Sequence, residues 1–178
     1  MLKKKNTDLK KETKKTSGNF NIGGEINTGN TQSKIFSFDG ELILRISNTR
    51  LTAGGSLYEK EVNKKIISSY NRAYTKFDKF FSEKFYFLSN LSSFEDKVKG
   101  IKNRSNIGLG LGYQIFDFSQ KSFSIESGII FTKKEDIQNF KQNLFGIRFS
   151  SKYNQKIFEK KVENFNDNEF FLYSNSPA

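Results

Sequence analysis

A chain of 178 residues is one domain by length. It is 35% hydrophobic yet 15% aromatic, with a net charge of +11, a mean hydropathy of -0.65 and no His, Cys or Trp. These totals exclude disulfides, metal sites built on His or Cys, and nucleophilic mechanisms that use His or Cys, while the aromatic content argues against a disordered chain.

The N-terminal stretch MLKKKNTDLKKETKKT carries seven Lys against Asp8 and Glu12, or 7 − 2 = +5. A basic arm of this kind binds nucleic acid or anionic lipid in some proteins. No aromatic is interleaved with these lysines, so residues 1–17 read as a solvated, flexible arm with no specific nucleic-acid partner. No apolar core of a secretory leader follows the first lysines, and no run approaches the roughly 20 apolar residues of a membrane-spanning helix.

Period-two alternation begins at Phe20. Phe20, Ile22, Gly24 and Ile26 share one face, and Asn21, Gly23, Glu25 and Asn27 the other. Thr28 to Thr31 reads as a turn, because Gly and Asn tolerate positive φ. Next, Phe36, Phe38, Gly40, Leu42, Leu44 and Ile46 oppose Ser37, Asp39, Glu41 and Arg45, with Ile43 as an exception on the polar side. Eleven alternating residues exceed the usual globular strand of about 5–6 and match the ~9–11 of a tilted membrane-spanning strand.

A turn at Ser47 to Thr49 leads to Leu51, Ala53, Gly55 and Leu57, and then to a polar loop expected over 59–65. The segment from Ser68 to Phe80 has no clean apolar face. FYFLSNLSSF follows a tight turn, and the longest polar loop is expected over 95–103. Ile107, Leu109, Leu111 and Tyr113 then alternate with Asn106, Gly108, Gly110 and Gly112. Glycines on one face permit curvature or close approach of large neighbours. Phe123, Ile125, Ile129 and Phe131 make a further face, a polar loop is expected over 133–139, and Phe145, Ile147, Phe149 and Tyr153 make the last. The pattern predicts eight strands, with short turns at one end and longer charged loops at the other. Residues 159–178 read as a polar tail or a partial last strand.

The expected fold is all-β: an antiparallel up-and-down barrel of outer-membrane type, about 8–10 strands, over residues 18–158. Apolar positions Phe36, Phe38, Leu42, Leu44, Leu109, Leu111, Ile125 and Ile129 are expected to face lipid. Glu25, Asp39, Glu41, Arg45, Arg72, Arg104, Glu126 and Arg148 are expected to line the interior, where acids and arginines on facing strands pair. Phe20, Phe36, Phe85, Tyr86, Tyr113, Phe123, Phe131 and Tyr153 fall near strand ends, as in an aromatic girdle. Glu25 and Glu41 invite comparison with a catalytic carboxylate pair, but interior ion pairing accounts for them. No catalytic, metal-binding or cofactor-binding residue is expected. A soluble sandwich, a lipocalin-like carrier and a soluble basic binding module share the alternation or the charge, and pattern alone leaves them open.

Three stretches, GEINTGNTQS (residues 24–33), RAYTKFDKFFSEKFYFLSNLSSFEDK (72–97) and NRSNIGLGLGYQIFD (103–117), followed by SIESG (124–128), resemble in order and spacing the domain-of-unknown-function family 481, the salt-induced outer membrane proteins of Gram-negative bacteria. The resemblance spans about residues 17–158. It implies a monomeric barrel in outer-membrane lipid, delivered by the barrel-assembly machinery and related to envelope or salt stress, and it transfers no catalytic residue. It also implies a leader before Met1 and further strands after Tyr153, so this chain is expected to be a shortened member whose barrel closure is in question.

Overall fold

Side chains that alternate between β-branched or aromatic and small or polar residues favour a pleated strand with two unlike faces. The structure, a computed structural model, describes residues 15–118, 121–157 and 162–175; the arm over residues 1–14 lies outside them. Nine strands follow one another: β1 (Lys15–Asn27), β2 (Ser33–Ile46), β3 (Thr49–Val62), β4 (Lys65–Phe80), β5 (Phe85–Asp96), β6 (Ile101–Asp117), β7 (Lys121–Asp136), β8 (Lys141–Ile157) and β9 (Val162–Asn175). Each pairs antiparallel with the next, giving one up-and-down sheet in the order β1 to β9. The fold is all-β, as the alternation requires. Among the described residues no hydrogen-bonded pairing joins β1 to β9, so the sheet is not closed.

The strands run 12 to 17 residues, and no connection between them exceeds five. This corrects the expected asymmetry between short turns and long loops. The polar segment at 59–65 is strand on both sides of a two-residue turn, Asn63-Lys64, with φ of 48° and 64°. That is the geometry of a type I′ hairpin turn. The longest expected loop shrinks to residues 97–100, and β7 continues to Asp136. Hydrophilic strand ends were read as loops because their charge hides the alternation. At the rims, neighbouring hairpin ends are tied together. Asn63 N–H donates to Gln32 O at 2.8 Å, Phe80 N–H to Asn48 O at 2.8 Å, and Ile137 N–H to Gly100 O at 3.1 Å.

The register curls the sheet. A path straight across the ladders runs Lys15, Arg45, Arg50, Asp78, Leu88, Gly110, Gly128, Arg148 and Phe171. It enters at the first residue of β1 and leaves nine positions into β9 (171 − 162 = 9). A stagger that accumulates across a sheet tilts its strands and wraps it about an axis, as in a barrel. Side chains from distant strands meet inside accordingly: Arg45 of β2 reaches Asp117 of β6 at 2.8 Å, and Arg104 of β6 donates to the Tyr173 hydroxyl of β9 at 2.6 Å.

The two faces are inverted relative to a soluble barrel. The concave side holds buried Thr52, Asp78, Tyr86, Leu88, Gln114, Ser124, Glu126, Ile130, Thr132 and Ser150. The convex side leaves Leu42, Leu57, Phe87, Ile107, Leu109, Leu111, Ile129, Phe145, Ile147 and Phe149 exposed. At the end of the sheet carrying the β4–β5 and β6–β7 connections, aromatics cluster on the convex side: Phe85 against Tyr113 at 4.6 Å, and Phe116 with Phe123 at 5.9 Å and Tyr153 at 6.4 Å between ring centroids.

Candidate functional site in the polar interior

Two groups of three adjacent strands, β3–β5 and β7–β9, point polar side chains at a common interior point. On β4 the residues Tyr70, Arg72, Tyr74, Lys76, Asp78 and Phe80 share the concave face by period two. This settles the segment whose faces are ambiguous in sequence: Tyr70, Arg72, Tyr74, Lys76, Asp78 and Phe80 go in, and Asn71, Ala73, Thr75, Phe77 and Lys79 go out.

Glu126 of β7, 8% exposed, sits at the centre. It is paired with Lys76, accepts from the Tyr86 hydroxyl at 2.8 Å, and is met by Arg148 Nη1 at 3.2 Å. Arg148 extends the network to Glu169 of β9 at 2.6 Å. Lys76 also lies 3.5 Å from Asp78, a carboxylate with no exposed surface, whose other oxygen accepts from Arg50 Nε at 2.6 Å. The Arg50 guanidinium stands over both the Phe80 and the Tyr86 rings, 5.3 Å from each centroid, adding cation–π attraction to the pairing. Three cations thus meet three carboxylates: Arg50, Lys76 and Arg148 against Asp78, Glu126 and Glu169. Buried charge is tolerated only when paired and hydrogen-bonded in this manner.

Glycines make the space. Tyr86 and Gly112 are cross-strand partners, and a Cβ on Gly112 would overlap the Tyr86 ring. Gly54 stands in the same relation to Tyr74, whose hydroxyl donates to Glu41 at 2.7 Å. The inward Gly108-x-Gly110-x-Gly112 series is therefore a set of sockets along β6 for β5 and β7.

The eight residues expected inside all fall on the concave face, and two of them, Glu126 and Arg148, join the network. Glu41 and Arg72 meet through Tyr74, whose ring lies 5.2 Å from the Arg72 guanidinium. Asp39 accepts from Asn21 at 2.8 Å, Glu25 from Asn27 at 2.5 Å. Arg45 and Arg104 make the separate long-range contacts given above. Glu25 and Glu41 engage different partners. Of the eight apolar positions on the convex face, Phe36, Leu42, Leu109, Leu111, Ile125 and Ile129 are exposed. Phe38 and Leu44 are half-buried, Phe38 because it and Phe20 cover Gly40.

Sequence reasoning missed Arg50, Lys76, Asp78 and Glu169, and it put Tyr86 in the girdle. Tyr86 is fully buried inside, one residue out of phase with exposed Phe85 and Phe87. The available signal was the i, i+2 series Tyr74, Lys76, Asp78 on β4.

A family model described as a protein of unknown function, DUF481, matches residues 20–177. The chain belongs to the DUF481 family. The matched region extends over β9, the strand that carries Glu169, as well as over strands before it. No curated protein and no solved structure matches the chain.

Proposed function

We propose that this DUF481 protein is a non-enzymatic β-barrel of a bacterial outer membrane, with a structural role or a narrow path through an interior filled by its own side chains. The observation that carries the reading is the inversion of faces. The convex side is an exposed apolar belt several strands wide, and the concave side holds the charges. Soluble monomers rarely expose apolar patches of more than a few hundred Å², whereas a membrane barrel requires an outward apolar band with aromatic girdles. Strands of 12–17 residues exceed the ~9–11 needed to cross and leave polar ends for the headgroup regions. A soluble carrier would keep its ligand in an apolar interior, and this interior is ionic.

Lipid is the expected surroundings of the belt, the barrel-assembly machinery the route of insertion, and a monomer the expected state. A part in envelope or salt stress follows from the family resemblance alone. The Arg50–Asp78–Lys76–Glu126–Arg148–Glu169 network occupies the interior, so planar-bilayer recording should show no porin-size conductance. Stable steps of porin size would contradict the filled interior.

A further inference from the structure

We propose that the seam between β1 and β9 is a binding site for one further β-strand: an extended polypeptide segment, antiparallel to both edges, with apolar residues alternating outward and polar residues inward. The inference rests on the membrane reading, and four observations carry it.

First, the two edges do not meet. Among the described residues no Cα of β1 comes within 8 Å of a Cα of β9. Adjacent strands lie about 4.7–4.9 Å apart, so edges joined through one intermediate strand stand roughly 9–10 Å apart, while directly paired edges would be well inside 8 Å. Second, the directions match. With nine strands in an up-and-down order, β1 and β9 run the same way, and one strand running oppositely forms antiparallel ladders with both.

Third, β1 is exposed on both faces along nearly its whole length, with Phe20 at 68% and Ile22 at 77%. Fourth, the faces agree. Phe20, Ile22 and Ile26 on one edge and Phe170 and Leu172 on the other are exposed on the convex side, while Asn21 and Glu25, and Glu169 and Tyr173, point to the concave side. A segment of about a dozen alternating residues continues both the apolar belt and the polar lining.

In lipid an open edge is costly, since each unsatisfied backbone group there costs several kcal/mol. A second copy does not supply the strand. In the same membrane orientation its edge strands run parallel to those of the first copy. Residues 1–14 have no apolar face at period two. The occupant proposed is a separate strand with the alternating pattern of β2, added as in other β-augmentation complexes.

The test uses the full chain in phospholipid vesicles and, as probe, a synthetic peptide of the β2 sequence SKIFSFDGELILRI, which natively runs antiparallel to β1. The expected result is saturable one-to-one binding, at least ten-fold tighter than that of the same peptide with proline in place of Ser37 and Asp39. Peptides carrying one cysteine at successive outward positions should form disulfides with both Ile26→Cys in β1 and Leu172→Cys in β9. The chain has no native cysteine to interfere. Two results overturn the proposal: no preference over the proline peptide, or rapid disulfide formation within an Ile26→Cys/Leu172→Cys chain, which requires Cα atoms within about 7 Å and hence edges that meet directly. Acyl-chain quenching of a label at Leu109→Cys in the same vesicles reports insertion separately. If Leu109 is quenched and the peptide does not bind, the seam proposal fails and the membrane reading stands; if Leu109 is not quenched, both fail.

Discussion

The Tyr86 ring lies in the space that a side chain on Gly112 would fill. The two residues are direct partners across β5 and β6, both on the concave face, and the Tyr86 hydroxyl continues from that socket to Glu126. The glycine on one strand thus positions the ionic centre on another.

Gly112→Ala should therefore destabilise the fold by about 1–3 kcal/mol, the usual cost of overpacking. Adding Tyr86→Ala should recover part of that loss, because the overlap disappears. Urea unfolding of the two single variants and the double variant measures the coupling. Additive effects would show that the two residues do not share the space.

Glu126→Leu should cost about 3–5 kcal/mol, since Lys76 and Arg148 are left as buried cations without their common carboxylate. Lys76→Met in the same chain should return a substantial part. Glu135→Gln, by contrast, removes a rim pair with Lys102 and should change stability far less than Glu126→Leu, because solvent screens the pair. Denaturant midpoints in a fixed lipid distinguish the three variants.

Lys64→Gly should stabilise the β3–β4 hairpin. Lys64 has a φ of 64°, and the preceding Asn63 is already left-handed. A residue with a Cβ held there costs about 1–2 kcal/mol, and Asn-Gly is the preferred type I′ pair. A raised thermal midpoint is the expected outcome, and a lowered one would mean that the Lys64 side chain holds the turn.

Leu109→Arg separates the membrane account from a soluble one by magnitude. Leu109 is 45% exposed on the convex face. In water such a substitution stays within about 0.5 kcal/mol, whereas at the middle of a bilayer it costs roughly 2–4 kcal/mol. Folding titrations in vesicles read the difference directly.

Much of this architecture is legible in the sequence because a sheet with two unlike faces writes its period into the chain. Phe36 to Ile46 and Ile107 to Tyr113 show both the strand and its facing. Legibility fails where the two faces are alike in polarity. On β4 the inward positions mix aromatics with charges and the outward ones are Asn71, Ala73, Thr75, Phe77 and Lys79, so no apolar stripe marks either side. At strand ends such as 59–62 and 133–136 both faces are charged, and continuing strand looks like loop. The interior network is hidden for another reason: Lys76 and Glu126 are 50 positions apart, and only the accumulated stagger of the sheet brings β4 opposite β7. Tyr86 shows the cost of a one-residue error in phase, which moves a side chain from one face to the other.

The central claim is that the convex belt lies in hydrocarbon and the concave charges do not. It is tested most directly by a fluorophore on single cysteines at Leu42→Cys, Leu109→Cys, Glu41→Cys and Arg104→Cys, with the protein in vesicles whose acyl chains carry a quencher. The account predicts strong quenching at 42 and 109 and little at 41 and 104. Quenching at 41 and 104 instead, or at none of the four, would contradict it.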